Sequence, residues 1–246
     1  PEAAARISAA TGLGVVASTG LHRQAHYPDA DPLRQLEVAT RTAVFVRELT
    51  VGQLADDAEL RAGRAVDDLT IARTPDGRPI LAGLIKTGIG YWRISDFERA
   101  TLEAAAAAHR VTGAPIVVHL EYCTAAHELL DLLAAEGVPA PRVVLAHADR
   151  DPDPELHLEL TARGAYLGYD GMARPKGDSE AVLLRLSEAV VAGGGGHRLL
   201  LGADVARGSR YLAYGGMPGP EDLGRRYVPR PRPRPGDEAP DRIPIA

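Results

Sequence analysis

The sequence predicts an α/β fold whose parallel strands close into a barrel, and three observations carry that prediction. Short runs rich in Val, Ile and Leu recur along the 246 residues, as expected where both faces of a sheet are covered. Amphipathic, helix-favouring segments lie between them, and alternation of strand with helix means a parallel sheet. Polar residues then stand at or near the C-terminal ends of different runs: Lys86, His119, His147 and Asp204. In a closed barrel such ends converge on one mouth, whereas in an open sheet they spread along a line.

Seven strands are expected, at Val15–Gly20, Phe45–Leu49, Ala82–Gly88, Pro115–Leu120, Arg142–His147, Ala165–Asp170 and Leu199–Asp204. Ser95 and Glu98 have capping-box spacing ahead of an Ala-rich helix running to Arg110. Thr124 opens a helix that Gly137 ends. Asp153-Pro154 pairs a cap with proline at the first helical position, and Gly164 is the stop. Ser179 opens another helix, which dies in Gly193–Gly196. These glycines close a helix where a phosphate cradle would open one. Residues 52–78 are polar and acidic and read as an inserted helix and loop. Residues 229–246 begin with alternating Pro and Arg, which makes an extended tail. A barrel of about 200–250 residues commonly forms one domain, so residues 1–246 are expected to be one.

Composition narrows the function. A net charge of -5 argues against nucleic acid, since a duplex binder needs a basic face. No apolar run approaches the roughly 20 residues of a membrane span. The start, Pro1-Glu-Ala-Ala-Ala-Arg, has no charged segment followed by an apolar one, so no signal peptide is read there. The single cysteine, Cys123, allows no internal disulfide; this fits a reducing compartment, and a cytoplasmic location is expected.

The strand-end residues carry the chemistry. A lysine ending an apolar strand is costly unless its charge is used or removed. Lys86 either pairs with a carboxylate or, with its pKa lowered by desolvation, takes up carbon dioxide as a carbamate whose two oxygens hold two cations. His119 and His147 end successive strands, and imidazole is the commonest neutral metal ligand. Asp204 is either a helix cap or a ligand that also takes a proton from bound water. His22 and His26 follow the first strand, in a surface loop or in a substrate-facing one. Tyr91 and Trp92, after the lysine strand, and Arg174 are candidates for substrate contact, with packing and solvated surface as the bland readings. His109, His127 and His157 fall within helices and are expected on outer faces.

Five stretches resemble the phosphotriesterase family of the amidohydrolase superfamily: Ala82-Gly-Leu-Ile-Lys-Thr-Gly88, Thr112-Gly-Ala-Pro-Ile-Val-Val-His119, Val143-Val-Leu-Ala-His-Ala-Asp-Arg150, Gly164-Ala-Tyr-Leu-Gly-Tyr-Asp-Gly171 and Leu201-Gly-Ala-Asp-Val-Ala206. Thr19-Gly20 and Arg47-Glu48 match earlier strands, and the likeness runs from about Thr11 to about Val228. It implies a (β/α)8 TIM barrel with two divalent cations, typically zinc, bridged by a carboxylated lysine and a hydroxide. Carried over by position, Lys86 is the bridge, His119 and His147 hold the more exposed ion, and Asp204 holds the buried ion and accepts the proton. The implied substrates are small lactones, esters or organophosphate triesters, and the implied assembly is a homodimer. The family's first strand carries a His-x-His motif, and no His-x-His occurs here. The barrel is therefore expected to lack its first strand and its extreme C-terminal segment. The alternative to an enzyme is a catalytically incomplete barrel that acts without chemistry or is completed by a partner.

Overall fold

The computed structural model describes residues 1–171, 180–205, 207–216 and 223. The chain forms two compact units, one of Pro1–His119 with Glu128–Val143 and the other of Leu120–His127 with Val144–Ala246. Arg174, Ser179 and the Pro/Arg tail at 229–246 lie outside the described residues.

The first unit is built on three parallel strands, β1 (Ala17–Thr19), β2 (Ala82–Gly88) and β3 (Ile116–His119). Ile85, Ile116 and Val118 are fully buried, which is what the apolar runs require. Register sets Lys86 beside Val117 and Gly88 beside His119, so the lysine and the histidine come to the same end of adjoining strands. Gly20, just past β1, has a left-handed φ of 117°, and a Cβ built there would lie 2.0 Å from the Lys86 carbonyl oxygen. Only glycine lets the two backbones approach so closely.

Helix α1 (Glu2–Thr11) precedes β1, and α2 (Val38–Thr50) follows it. The expected strand at Phe45–Leu49 is thus the last part of a helix. The triplet Val44-Phe45-Val46 reads as a buried strand by itself. Buried Arg41, Val44 and Phe45 show the helical spacing, and Arg41 masks the pattern because it is polar. Arg41 is 2% exposed and satisfied: its guanidinium donates to the Leu36, Phe97 and Arg34 carbonyls and to Thr101 Oγ1, and lies 4.4 Å from the Phe97 ring centre. These bonds fasten α2 to α4 (Asp96–Thr112). Helix α4 begins with the expected capping box of Ser95 and Glu98 and ends at Gly113, φ 73°. Between α2 and β2, residues 52–78 form the short helix α3 (Ala58–Arg61), a 3-10 turn and the antiparallel bridges Leu54–Ile71 and Arg73–Pro79. Helix α5 (Ala126–Ala135) follows β3, and Gly137 (φ 84°) closes the turn after it.

The second unit holds β4 (Val143–Ala146), β5 (Tyr166–Tyr169) and β6 (Leu199–Leu201), again parallel and paired in sequence order. Helix α6 (Pro154–Ala162) starts as expected, with the Asp153 carboxylate accepting from Glu155 N at 2.9 Å and proline at the first position. Helix α7 (Glu180–Ala192) packs against α6. No helix among the described residues is long and apolar enough to cross a membrane.

Two of the three helical histidines are not on outer faces. His109 is 9% exposed and meets the Ala114 carbonyl at 2.8 Å, and His157 is wholly buried with Nδ1 2.5 Å from the Tyr169 hydroxyl. A ring that bonds locally tolerates burial that its polarity alone would forbid. Burial pushes His157 down to about 4, against the opposing pull of Asp151 and the Ala148 carbonyl. Its folded value lies below its unfolded value of about 6.5. Its contribution to stability is therefore complete above pH 6.5 and is lost as pH falls from there through about 4. Denaturant unfolding should show a loss of roughly 3 kcal/mol from this group between pH 7 and pH 4. His157→Gln keeps a partner for Tyr169 but does not titrate, and should flatten that slope; an unchanged slope would contradict the assignment.

Candidate metal centre

The strand ends of the second unit gather a compact polar group. His147 follows β4 in a left-handed conformation, φ 64°, which turns the chain sharply at the end of the strand. Its backbone N–H donates to Asp170 Oδ2 at 3.3 Å, and its ring Nδ1 lies 2.7 Å from Asp170 Oδ1. Asp170 immediately follows β5. Asp204, beyond β6 and also left-handed at φ 41°, places Oδ2 3.9 Å from the same ring nitrogen. One atom from each of His147, Asp170 and Asp204 lies within 4.8 Å of the other two. One imidazole and two carboxylates make a donor set that fits a divalent cation. The two contacts with Asp170 fix the ring orientation, with Nδ1 turned toward the carboxylates of Asp170 and Asp204.

The turn at Ala148–Arg150 extends the group. Asp149 is 3% exposed; its Oδ2 accepts the Gly171 N–H at 2.6 Å, and its Oδ1 has no hydrogen-bond partner among the described residues. Burial, and then the Asp170 charge, pushes its carboxyl up to about 7. Arg150 sends Nη1 to within 3.9 Å of Glu121 Oε2 and Nη2 to within 3.7 Å of Asp204 Oδ2. Glu121 begins the β3–α5 connection. There Tyr122, Cys123 and Ala125 all have positive φ, and Cys123 is buried, with its thiol pushed up by desolvation.

The first unit presents a separate polar cluster. Lys86 is half-buried, with Nζ donating to the Thr87 carbonyl at 3.2 Å. His119 is 7% exposed and packs at 4.7 Å between ring centres against His22. His22 in turn stacks on His26 at 3.9 Å and 25°. The loop that carries them is firmly held: His22 N–H donates to Tyr27 Oη, Arg23 N–H to His22 Nδ1 and Gln24 N–H to Glu98 Oε1. Burial first, and then the neighbouring His119, His26, Lys86 and Arg23, pushes His22 down to about 3, so the ring is neutral. The near-parallel stack prevents His22 and His26 from sharing one in-plane ion. Tyr91 and Trp92 are 62% and 69% exposed, edge to face, on a tight turn where Trp92 has φ 51°.

Of the residues singled out in the sequence, the structure brings His147 and Asp204 together in one unit and Lys86 and His119 to one end of the other. Asp170, Asp149, Arg150 and Glu121 were not assigned. The signal for Asp170 was present, since it ends its apolar run as Asp204 does.

Known proteins resemble this chain in sequence and in fold. The sequence profile described as the phosphotriesterase family matches residues 64–230. A phosphotriesterase homology protein of Escherichia coli K12 is 31% identical over 223 residues, 90% of this chain and 68% of that protein. A phospho-furanose lactonase of Mycoplasmopsis synoviae is 30% identical over 148 residues, 60% of this chain and 42% of its own length. Among solved structures, the Escherichia coli homology protein with phosphate in its active site superposes with a TM-score of 0.76, at 26% identity, over 92% of this chain and 69% of its own. A lactonase of Listeria monocytogenes does so with a TM-score of 0.75, at 28% identity, over 92% and 67%. Fold and sequence together place the chain among the α/β barrels. The chain belongs to the phosphotriesterase family and has its α/β barrel fold.

Proposed function

We propose that the chain is a metal-dependent hydrolase of small lactones or related esters, with organophosphate triesters as further substrates. The observation that carries this is the His147–Asp170–Asp204 group at the strand ends of a chain in this family. Bound divalent metal, zinc in this reading, would polarise the substrate oxygen and make hydroxide available at neutral pH. Asp170 holds His147 at its backbone N–H and at its ring Nδ1, so the imidazole is fixed in place before a ligand arrives. Asp204 serves as ligand and accepts the proton of the attacking water. The sequence motifs add Lys86, as a carboxylated bridge, and His119 as ligands for a two-ion centre. Tyr91 and Trp92, exposed on their turn, and Arg174 are assigned to substrate contact, and a homodimer and a cytoplasmic location complete the proposal. The name phospho-furanose lactonase borne by one relative supports lactones as the first class to assay.

The test is elemental analysis and lactone hydrolysis on protein refolded with zinc and bicarbonate, beside the Lys86→Ala variant. Two ions per chain, falling in the variant together with turnover, is the expected result. Metal below one per chain and unaffected by the substitution would refute the centre.

A further inference from the structure

We propose that Arg150 is an internal counter-cation of this centre, a positioning residue that competes with bound metal for Asp204 and so limits the affinity of the site. The inference rests on the metal-centre reading above and goes beyond it, because it assigns a residue that is neither ligand nor base. Three observations carry it. Arg150 directly follows the buried Asp149 on the turn that starts at His147, so it is anchored to the centre itself. Its guanidinium spans two carboxylates from different connections, Glu121 after β3 and Asp204 after β6. Most decisively, the Asp204 oxygen facing Arg150 at 3.7 Å is the same Oδ2 that faces the His147 ring at 3.9 Å. An ion ligated by that oxygen would share it with a positive charge that cannot be deprotonated. All three side chains are largely buried, at 16–20% exposure, so the competition is not screened away as it is between surface charges.

Two consequences follow from Coulomb's law. Arg150 attracts the Asp204 carboxylate and holds it in place before metal arrives, and it weakens metal binding once the ion is there. Glu121 acts in the opposite sense, because it shares the guanidinium and draws it away from Asp204. Removal of Arg150 should therefore tighten metal binding, and removal of the Glu121 charge should weaken it.

Cobalt(II) titration of the 246-residue chain, read by its visible absorption, tests this on wild type, Arg150→Gln, Arg150→Lys and Glu121→Gln, with folding checked by circular dichroism. Arg150→Gln should bind cobalt at least about tenfold more tightly, Arg150→Lys should stay within about threefold of wild type, and Glu121→Gln should bind about threefold to tenfold more weakly. Equal or weaker binding by Arg150→Gln overturns the inference while leaving the metal centre standing. If that variant does not fold, unchanged or tighter binding by Glu121→Gln overturns it alone. Failure of wild type and every variant to bind cobalt overturns the metal-centre reading and this inference together.

Discussion

Asp204→Asn is expected to lower lactone turnover by about 10² to 10⁴-fold with the fold intact, the span that removal of a general base produces. The amide keeps the size and one oxygen of the carboxylate but loses the charge that would hold a cation and the basicity that would take a proton. Asp204 is about one-fifth exposed and sits at the end of β6 outside the apolar core, so the substitution opens no cavity. The effect should fall on kcat more than on KM, since a proton acceptor acts as the water attacks. Measurement of kcat, KM and bound metal on the same preparation checks this. Loss of metal with kcat would assign Asp204 chiefly as ligand, and kcat loss with metal retained chiefly as base. Turnover within threefold of wild type would remove it from the centre.

Gly20→Ala should be the most destabilising single methyl group that can be added near the site. Its Cβ would fall 2.0 Å from the Lys86 carbonyl oxygen, against backbone that cannot rotate aside. Either β1 separates from β2, or Gly20 leaves its φ of 117°, and both routes break the register that brings Lys86 to its strand end. A loss of about 4 kcal/mol or more is expected, lowering Tm by roughly 10 °C in a chain of this size. Gly113→Ala is the control. It too has positive φ, 73°, but nothing lies within 4 Å of the added carbon, so only the backbone cost of about 1–2 kcal/mol applies. Equal losses for the two variants would mean that the contact with Lys86 has no energetic consequence.

Elements signalled by local chemistry were legible in the sequence. The capping box at Ser95 and Glu98, the cap and proline at Asp153–Pro154, and the runs that became β2 to β6 depend on neighbours in the chain, and each forms where the residues indicate. Phe45–Leu49 failed because its fate depends on a distant contact. Arg41 turns an apolar triplet into one face of a helix by reaching Phe97 and Thr101 on α4. The buried His157 failed because its partner is a tyrosine on the following strand, β5, and His109 because its ring turns back to a carbonyl just beyond its own helix end. At the centre, His147 and Asp204 could be chosen by residue type and strand position. The grip of Asp170 on His147 and of Arg150 on Asp204 joins loops that follow different strands, and spacing along the chain encodes neither.

The turn from His147 to Arg150 touches Glu121, the Asp170–Gly171 step after β5 and Asp204 after β6 through three side chains within four residues. Changes made at those ends are therefore expected to be non-additive. Glu121→Gln and Asp204→Asn each alter a partner of the same guanidinium, so the double variant should not equal the sum of the singles. Substitutions accumulated by directed evolution around this mouth would be contingent on order: a change tolerated with Arg150 present can be harmful without it. A library that varies Glu121, Arg150, Asp170 and Asp204 together will sample functional combinations that sequential single-site searches pass by.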